Sequence, residues 1–572
     1  MGCEENKRGI RKDESRDGGG ILIHMRKGIQ KVLDILNCRD NSIYYECEDV
    51  NFILTFPTGY GKTTLSLEIV RMIDLKPTQN FSRLIHVVPT RSLAKDIQNS
   101  ACERGLGFAV QYSFTPSHIK SPLFLAKFII TTYDSFLLNL YKASIGEPFS
   151  YHGHYDLPRF GIYTSLVHFD EFHLMNEGNS WTSLLGAVRH LSKVGVNMIL
   201  SSATPSKSVE EELIRMMENR KVVRLAVVNE YGESVKNRNC VKVSEGYYEC
   251  EVGSVKYTSV EVEDKINAPD ININFLDKED DVLGVVRRNK DKKIMVIVNT
   301  VDKAITLYEK LRDLSPCLIH SRFKIGDRDE KLRKECNIII ATQVIEVGVN
   351  ISSEVMITEQ APITSIVQRV GRLLRDNKKD KGELYIWKSG NYYPYDKDEV
   401  ENTIKELESK KNDISLKVPS SYGEIVDRVI KPPRGDPDLL RELDNIAENL
   451  FATREDLEKL LDKYCTLTNS YVINVAYDTP ASERDLIPLD GDLALKIAIK
   501  GNDCVYAYVE EYKPERKVAV DKVNVRETCV EIAKPCRDYR KVFYDGDKRY
   551  IIYALKIDKE LYDEETGLRL RK

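Results

Sequence analysis

The sequence predicts an α/β protein with two parallel sheets, each covered by helices, followed by a C-terminal α+β domain. Three observations support this fold class. Short apolar segments such as NFILTF, LIHVVP and SLVHFD alternate with helical stretches between residues 50 and 227. The alternation returns between residues 281 and 388, in KIMVIVNT, NIIIATQV and ELYIW, and it is lost after residue 389. Such alternation is typical of parallel sheets, whose strands are joined by helical crossovers.

Composition and charge narrow the class of protein. The chain has 572 residues, of which 42% are hydrophobic and 30% charged, which suits a soluble protein of several domains. Its formal net charge of −4 excludes a histone-like polycation, although a local basic groove can still bind nucleic acid. No apolar run reaches the roughly 18 residues of a membrane-spanning helix. We therefore expect no membrane partner and a cytoplasmic location.

Two residue types carry information about the cellular environment. The twelve cysteines are scattered and form no CxxC pair, which predicts reduced thiols rather than a zinc ribbon. Only seven glutamines stand among many Lys and Glu residues. This bias favours a thermophilic source.

The changes in pattern predict five segments along the chain. The first is polar, contains three consecutive glycines and shows no periodicity, so we expect it to be a disordered tail. The last contains helices and a hairpin that turns at Asp545-Gly546. The predicted segments are a tail at 1–24, a first α/β domain at 25–227, a connector at 228–280, a second α/β domain at 281–388 and an accessory domain at 389–572.

A phosphate-binding loop is the strongest local signal. The segment FILTFPTGYGKTT leads from an apolar strand into a Gly-rich turn, and a helical stretch follows. Glycines let backbone N–H groups surround phosphates, and the helix N-terminus adds partial positive charge. Lys62 can reach the β- and γ-phosphates of ATP, and Thr63 can hold Mg²⁺. Phe56 departs from the looser form of the motif, which has glycine there. The predicted nucleotide-binding residues are Pro57, Thr58, Gly59, Tyr60, Gly61, Lys62, Thr63 and Thr64.

An acidic pair supplies the second half of a nucleotide site. Asp170 and Glu171 follow the apolar segment SLVHF, 108 residues after Lys62. Their place at the carboxyl end of a buried strand puts them beside the phosphate loop in a parallel sheet. Asp170 would hold Mg²⁺ through its water shell, and Glu171 would activate the attacking water. A strand end that caps the next helix is the alternative for an isolated acidic pair.

The remaining motifs resemble those of superfamily 2 helicases of the DExH type. DEFH at 170–173 is the signature, and SSATPS at 201–206 is similar to the motif that couples hydrolysis to domain movement. The resemblance implies two tandem RecA-like domains and an ATP-hydrolysing enzyme. The other matching segments, in the family's order, are VVPTRSLAKD at 87–96, IITTYDSF at 129–136, MVIVNTVDKA, ATQVIEVGVNIS at 341–352 and QRVGRLLR at 368–375.

Two of these segments, together with a third at 318–323, point to a narrower family. LIHSRF at 318–323 followed by Arg328, together with ATQVIEVGVNIS and QRVGRLLR, is similar to the CRISPR-associated helicase of type I interference systems. Many members carry a fused HD nuclease domain, which needs several His and Asp ligands. This chain has nine histidines, the last at His320, and about 50 residues before the phosphate loop. We therefore expect the helicase-only form, common in archaea, whose HD nuclease is a separate subunit.

The resemblance assigns further residues to ATP binding and coupling. Gln30 would belong to an adenine-sensing motif, although a helix-face glutamine without function explains it almost equally well. Asn350 departs from the family, which usually has Asp there. The remaining assignments are His173 as the link to the coupling motif Ser202, Ala203 and Thr204; Glu346 and Gly348 as motif V; and Gln368, Arg372 and Arg375 as motif VI, with the two arginines on the γ-phosphate across the cleft between domains.

The same resemblance places single-stranded nucleic acid on loops at strand ends. Side chains with hydroxyl, amide or guanidinium groups there can hold phosphates without reading bases. Ordinary turn chemistry explains the same residue types about as well. The candidates are Thr90, Arg91, Thr131, Thr132, Asn299, Thr300, Arg322 and Thr342.

These motifs predict an ATP-dependent single-stranded DNA translocase and helicase, moving 3′ to 5′, with ATP and Mg²⁺ as cofactors. Its expected partners are single-stranded DNA, an RNA-guided CRISPR surveillance complex and a separate HD nuclease. A general DExH helicase acting on DNA or RNA in repair, restriction or RNA remodelling is the first alternative. The second is a nucleic-acid-binding module that senses ATP without hydrolysing it.

Overall fold

The computed structural model describes most of the chain and divides it into two compact units. One unit comprises Met1–Leu140, His154–Asn176 and Leu184–Ile266, and the other comprises the remaining residues. Within the described part, none of the helices combines the length and apolar character needed to cross a membrane. The described residues are 25–39, 49–75, 81–112, 119–142, 156–218, 220–264, 266, 268–346, 348–376, 379–449, 452–468, 471–511, 525–532, 543–545 and 547–570.

The first unit is built on a ten-stranded sheet. Seven strands, β1 to β7, together with β10, pair in parallel, and their apolar residues are buried on both faces, as helices on both sides require. The strands are β1 Val50–Thr55, β2 Arg83–Val88, β3 Ala109–Gln111, β4 Phe128–Thr132, β5 Ser165–Asp170, β6 Met198–Ser202, β7 Lys221–Val228, β8 Cys240–Ser244, β9 Tyr247–Val252 and β10 Val255–Glu263, in the order β3-β4-β2-β5-β6-β1-β7-β10-β9-β8.

Seven helices accompany these strands among the described residues. Thr90 and Ser206 cap two of them, each accepting a hydrogen bond from a first-turn backbone N–H. The helices are α1 Lys27–Leu36, α2 Lys62–Leu75, α3 Arg91–Glu103, α4 Tyr133–Leu140, α5 Leu157–Tyr163, α6 Gly178–Lys193 and α7 Lys207–Met216.

The second unit contains a six-stranded sheet in which every pairing is parallel. Apolar side chains pack on both of its faces in two core clusters. Its strands, in the order β11-β16-β15-β12-β14-β13, are β11 Asp270–Leu276, β12 Ile294–Ile297, β13 Cys317–Ile319, β14 Ile338–Ala341, β15 Val355–Glu359 and β16 Lys381–Trp387; its helices are α8 Glu279–Arg288, α9 Val301–Lys310, α10 Ile325–Arg333, α11 Ile363–Val370, α12 Lys397–Lys410 and α13 Pro419–Val429.

The C-terminal part adds three helices, a six-stranded sheet and a two-stranded sheet to the described part of the second unit. The predicted hairpin is present, because Phe543–Asp545 pairs antiparallel with the start of Lys548–Lys556; Gly546 itself lies outside the described residues. The elements are α14 Pro437–Glu448, α15 Arg454–Tyr464, β17 Val472–Ala476, β18 Ile487–Asp490, α16 Gly491–Ile497, β19 Val505–Glu511, β20 Val525–Val530, β21 Phe543–Asp545, β22 Lys548–Lys556, β23 Tyr562–Asp563 and β24 Gly567–Leu568.

The α/β fold class with two parallel sheets and a C-terminal α+β part is confirmed, but the structure places two predicted boundaries elsewhere. The supposed connector 228–280 is not a separate segment: β8, β9 and β10 extend the first sheet, and β11 is a strand of the second. Residues after 389 also begin within the second sheet's core, since α12 and α13 bury Val400 and Ile425 there. The tail predicted at 1–24 lies outside the described residues.

The prediction of reduced thiols is wrong for the nine described cysteines, all of which are disulfide-bonded. Three pairs have both cysteines among the described residues. Cys240 and Cys250 face each other on β8 and β9 and are bonded, with Cα atoms 4.1 Å apart. Antiparallel pairing, which linear spacing does not reveal, brings such residues together. The other bonded pairs are Cys317–Cys336 and Cys504–Cys529, with Cα separations of 6.1 and 5.5 Å.

A buried ion cluster helps to hold the strands after 228 to the first unit. Glu210 of α7 is 1% exposed, and its Oε1 accepts a 2.7 Å hydrogen bond from Thr55 at the end of β1. Its Oε2 pairs with Arg224 of β7 at 2.8 Å and with Arg238 of the following loop. Arg224 also donates to Ser259 of β10 at 3.3 Å. Burial alone would raise the pKa of Glu210, but the two arginines lower it, so the carboxylate stays charged.

Replacing Glu210 by Gln should destabilise the first unit by about 3–5 kcal/mol, because two buried guanidinium groups would lose their counter-charge. Urea unfolding of the full chain would measure the loss. Asp74→Asn is the matched control, since it breaks the exposed Lys127–Asp74 pair, which is worth about 0–1 kcal/mol. Equal stability of E210Q and D74N would contradict this account of the cluster.

Candidate active site

Three neighbouring strands of the first sheet direct their carboxyl ends to one edge. β5, β6 and β1 are adjacent and parallel. β1 leads into the loop at 56–61, β5 ends at Asp170, and β6 ends at Ser202. Because carboxyl ends of parallel strands lie at the same edge, the fold brings the phosphate loop and the acidic pair together.

Two glycines shape the loop that precedes α2. Gly59 and Gly61 have φ values of +74° and +111°, which residues with a Cβ rarely adopt. Open space lies where a Cβ of Gly59 would point, whereas a Cβ on Gly61 would approach Ile29 Cδ1 at 3.0 Å. The loop can therefore take up ligand oxygens on the Gly59 side and packs closely against α1 on the Gly61 side.

Tyr60 fastens the loop to two distant parts of the first unit. Its hydroxyl accepts a 3.0 Å hydrogen bond from Gly28 N at the start of α1 and donates at 2.6 Å to Asp264 Oδ2 after β10. The Arg26 guanidinium lies 4.8 Å from the ring centroid. The segment predicted as a connector thus contributes directly to the position of the loop.

The charged centre of the site is a buried amine with two carboxylates. Lys62 is 8% exposed, pairs with Glu171 Oε1 and lies 3.7 Å from Asp170 Oδ1. The Ser201 hydroxyl donates to Asp170 Oδ1 at 2.7 Å, and Glu171 N donates to the same oxygen at 3.0 Å. These contacts place the predicted catalytic residues Lys62, Asp170 and Glu171 in one cluster.

Burial and mutual charge set the protonation states in this cluster. Burial lowers the pKa of Lys62, but Glu171 and Asp170 outweigh it and leave the pKa raised, so the amine is charged. Burial would raise the pKa of Asp170, but Lys62 and neighbouring histidines lower it. Burial raises the pKa of Glu171, and Lys62 offsets only part of this effect. Asp170 therefore stays ionised, which suits a cation ligand, and Glu171 is the stronger base, which suits a proton acceptor.

The residues present fit ATP with Mg²⁺. Glu171 Oε2 is buried and accepts no hydrogen bond among the described residues, while the loop beside Gly59 is open. Bound triphosphate would supply oxygens for Lys62, and Mg²⁺, when bound, would neutralise charge on the phosphate oxygens. Within the described residues no group of three His, Cys, Asp or Glu could hold a metal alone. Mg²⁺ binding by Thr63 and Asp170 stays a prediction.

The structure also joins His173 to the SSAT segment. Ser202 Oγ lies 2.7 Å from His173 Nδ1 and accepts a hydrogen bond from Thr204 N at 3.1 Å. His173 Nδ1 is 3.5 Å from Glu171 Oε2. Ala203 is buried between the two polar residues. The residues expected to couple the base to β6 are thus in contact, and their coupling role stays a prediction.

Two other nucleotide candidates lie apart from this cluster. Gln30 is on the exposed face of α1, where its Nε2 donates to Asp34 at 2.8 Å. Arg104 donates to Thr64 Oγ1 at 3.4 Å, which occupies that hydroxyl within the fold. Adenine binding by Gln30 stays a prediction.

The motif V and VI residues occupy one region of the second unit. Arg372 donates to the carbonyl oxygens of Ile345 and Glu346, and Arg375 donates to that of Val349. Both arginines are half-buried, and their contact with the γ-phosphate stays a prediction. Gly348 has a φ of +73°, Gln368 is 5% exposed, and Asn350 is exposed.

Arg369 is a central residue that the sequence analysis missed. It is fully buried, and its guanidinium donates to Glu346 at 2.7 Å, Thr358 at 2.8 Å, Tyr395 at 2.9 Å and Asn299 at 3.0 Å. Burial alone would lower the pKa of Arg369, but Tyr395 and Glu346 outweigh this effect and leave the pKa raised, so the guanidinium is charged. An arginine on the apolar face of α11 was the available signal. The planar guanidinium of Arg369, a residue of the motif VI segment, connects that segment to Glu346 of motif V and to Asn299 after β12.

Most nucleic-acid candidates already have partners within the fold. Thr90 and Thr300 cap α3 and α9, Thr131 donates to the Gln111 carbonyl, and Arg322 pairs with Asp302 at 2.8 Å. The alternative of turn chemistry therefore accounts for several of them, and nucleic-acid contact stays a prediction for all. The remaining four candidates also lie at strand or helix ends: Arg91 begins α3, Thr132 ends β4, Asn299, which accepts from Arg369, follows β12, and Thr342 follows β14.

Replacing Arg369 by Met should cost about 3–5 kcal/mol of stability, because Glu346 would be left as an unpaired buried carboxylate. Replacement by Lys should recover only part, since one ammonium cannot reproduce the planar set of donors. Chemical unfolding would measure both variants. Arg428→Met, which removes an exposed pair with Glu406, is the control. A stability for R369M equal to that of R428M would contradict the proposed role.

Acid should destabilise the chain through its buried histidines. Burial lowers the pKa of His168, His173 and His320 to about 3. Their unfolded pKa is about 6.5, so the unfolded state binds protons first as pH falls, and stability is lost between about pH 6.5 and 3. Each should contribute about 2 kcal/mol of loss at pH 5. Urea unfolding at pH 7.5 and 5 tests this, and H320Q should lose less than wild type. Equal pH dependence would contradict it.

Comparison with known proteins agrees with the site. Residues 40–212 match the DEAD/DEAH box helicase model, and residues 290–378 match the model for the C-terminal part of the CRISPR-associated nuclease/helicase Cas3. The chain is 25% identical over 387 residues to the CRISPR-associated helicase Cas3 of Thermoproteus tenax, covering 64% of this chain and 60% of that protein. It is 35% identical over 130 residues to a putative CRISPR-associated nuclease/helicase Cas3 of Methanocaldococcus jannaschii, covering 20% and 18%.

The solved structures agree on the fold. T. fusca Cas3 superposes with a TM-score of 0.60 at 16% identity, covering 84% of this chain and 66% of that one. A chain of a CRISPR RNA-guided surveillance complex, pre-nicking, gives 0.57 at 16% identity, covering 95% and 70%. The matches span less than two thirds of the length of the two curated relatives. The chain therefore carries a DEAD/DEAH box helicase domain and a Cas3-like C-terminal helicase domain, which confirms its resemblance to the CRISPR-associated helicases.

Proposed function

We propose that this chain is an ATP-dependent single-stranded DNA translocase and helicase of CRISPR interference, moving 3′ to 5′. The observation that carries the proposal is the buried Lys62–Asp170–Glu171 cluster at the carboxyl ends of β1 and β5, beside a loop that is open at Gly59. A phosphate loop, a cation-binding carboxylate and a base of raised pKa are the parts that ATP hydrolysis needs.

Each residue has a distinct task in this proposal. Lys62 would exchange Glu171 for the β- and γ-phosphate oxygens, which frees the Glu171 carboxylate. Glu171 would then orient water and accept its proton, helped by the pKa that burial raises. Arg372 and Arg375 would bind the γ-phosphate and stabilise charge as it develops. His173, through Ser202, would pass the state of the site to β6.

The proposed partners follow from the family rather than from contacts. Residues 290–378 match the model for the C-terminal part of Cas3, and they include the LIHSRF segment. This match supports an RNA-guided CRISPR surveillance complex as the partner that supplies the displaced DNA strand. A separate HD nuclease would receive the unwound strand. An exposed basic surface over the whole protein is unnecessary, because a stepping motor must hold its strand locally and release it in each cycle.

Lys62→Ala and Glu171→Gln should each lower nucleic-acid-stimulated ATP hydrolysis by at least about 100-fold, because one loses phosphate contact and the other the base. The two variants should differ in binding: E171Q should still bind ATP, whereas K62A should bind it weakly. Phosphate release and equilibrium ATP binding would be measured on the full chain.

Lys127→Ala is the matched control, since Lys127 is exposed and forms a surface ion pair with Asp74 at 2.7 Å. It should retain wild-type turnover. Full activity of K62A or E171Q would remove that residue from the mechanism.

A further inference from the structure

A chain of buried hydrogen bonds leads from the helix after the phosphate loop to Asp170. Ser66 Oγ of α2 lies 2.7 Å from His168 Nδ1, and His168 Nε2 lies 2.8 Å from Ser201 Oγ. Ser201 donates to Asp170 Oδ1 at 2.7 Å. Ser66, His168 and Ser201 are 0% exposed. We call these three residues the serine–histidine chain.

Local geometry explains how the serine–histidine chain forms. His168 and Asp170 are two positions apart on β5, so their side chains share one face of the sheet. Ser201 of β6 pairs in register with Asp170, which places its hydroxyl beside the carboxylate. Ser66 lies one helical turn after Lys62. The helix that begins with the phosphate-binding lysine is therefore connected to the cation-binding carboxylate.

The direction of the hydrogen bonds follows from counting protons. A carboxylate only accepts, so the single proton of Ser201 goes to Asp170, and the Ser201 oxygen must accept from His168 Nε2–H. His168 is fully buried, and its ring stacks on that of His86 with the centroids 4.5 Å apart. A neutral imidazole carries one N–H, so with that proton on Nε2 the lone pair is on Nδ1. His168 Nδ1 therefore accepts the proton of Ser66. Every group in the serine–histidine chain then has one defined role.

We propose that Ser66, His168 and Ser201 are positioning residues that hold the Asp170 carboxylate in one orientation for the nucleotide-bound divalent cation. The proposal rests on the proposed function. The Glu171 N–H fixes the same oxygen from the backbone, and the Ser201 hydroxyl fixes it from β6. Lys62 lies 3.7 Å from Oδ1 and His86 Nε2 lies 3.5 Å from Oδ2, but neither is as close as these two donors. Without Ser201 the Oδ1 atom keeps only one of the two, so the carboxylate should be held less firmly and should bind the cation less well.

The first test measures cation binding without turnover. Mn²⁺ with a non-hydrolysable ATP analogue would be titrated onto the full chain and followed by electron paramagnetic resonance. Ser201→Ala should weaken Mn²⁺ binding roughly 10-fold, because a hydrogen bond to a charged group is lost. Ser201→Thr keeps the hydroxyl and should restore it. Ser66 lies two hydrogen bonds from Ser201 and three from Asp170. Ser66→Ala should therefore also weaken Mn²⁺ binding, but less, by roughly 3-fold.

Ser165→Ala is the matched control for a purely structural effect. Ser165 stands on the same strand as Asp170, is 2% exposed, and donates to the Gly161 carbonyl at 2.6 Å. It should lower the melting temperature as much as Ser201→Ala and leave Mn²⁺ affinity unchanged. Equal Mn²⁺ affinity of S201A, S165A and wild type would overturn the proposal.

The second test determines the tautomer of His168 without nucleotide. The full chain would be labelled with ¹⁵N-histidine, and His168→Gln would identify the resonance by its loss. We expect a ring protonated at Nε2, with the lone pair on Nδ1. An imidazolium or an Nδ1–H tautomer would overturn the assigned direction. If the wild type neither binds Mn²⁺–nucleotide nor hydrolyses ATP, the proposed function fails, while the tautomer still decides whether the hydrogen-bonded chain exists as described.

Discussion

The first unit depends on keeping one amine and two carboxylates out of water at the end of its sheet. Lys62 can be buried only because Glu171 and Asp170 neutralise it, and the carboxylates can be buried only because Lys62 and hydrogen-bond donors face them. The cluster is therefore held by its own ion pairs, and the same charges can exchange partners with phosphate. Triphosphate can replace Glu171 on Lys62, and the released carboxylate is the group of raised pKa that the reaction needs.

The surrounding fold holds this cluster from several directions. Glu210 ties the end of β1 to α7 and β7 through buried ion pairs, and Tyr60 ties the loop to α1 and to the residue after β10. Arg369 performs a similar task in the second unit by joining Glu346 to Asn299. Each unit thus contains a buried charged residue, Glu210 or Arg369, whose several hydrogen-bond partners fix loops that follow parallel strands. Polar networks of this kind are costly when incomplete, which makes the loop positions specific.

Local patterns made much of the architecture predictable. Apolar strands, the TGYGKT turn and the acidic pair after β5 are features of short segments, and the structure brings Lys62, Asp170 and Glu171 together as expected. Features that depend on distant pairing were missed. β10 joins the first sheet only because it pairs with β7, and Cys240 meets Cys250 only across two antiparallel strands. Arg369 was overlooked because a charge on an apolar helix face has no local explanation; its partners come from four separate loops and strands.

The most direct measurement is steady-state ATP hydrolysis by the full wild-type chain with saturating single-stranded DNA, compared with RNA of the same sequence and with no nucleic acid. The buried cluster predicts ATP hydrolysis, and the proposed role in CRISPR interference predicts that this hydrolysis rises strongly on DNA and less on RNA. Stimulation by RNA alone would point to a general RNA helicase instead. Absence of hydrolysis with every nucleic acid would contradict the account, because Lys62, Asp170 and Glu171 would then form a structural ion cluster and not a catalytic site.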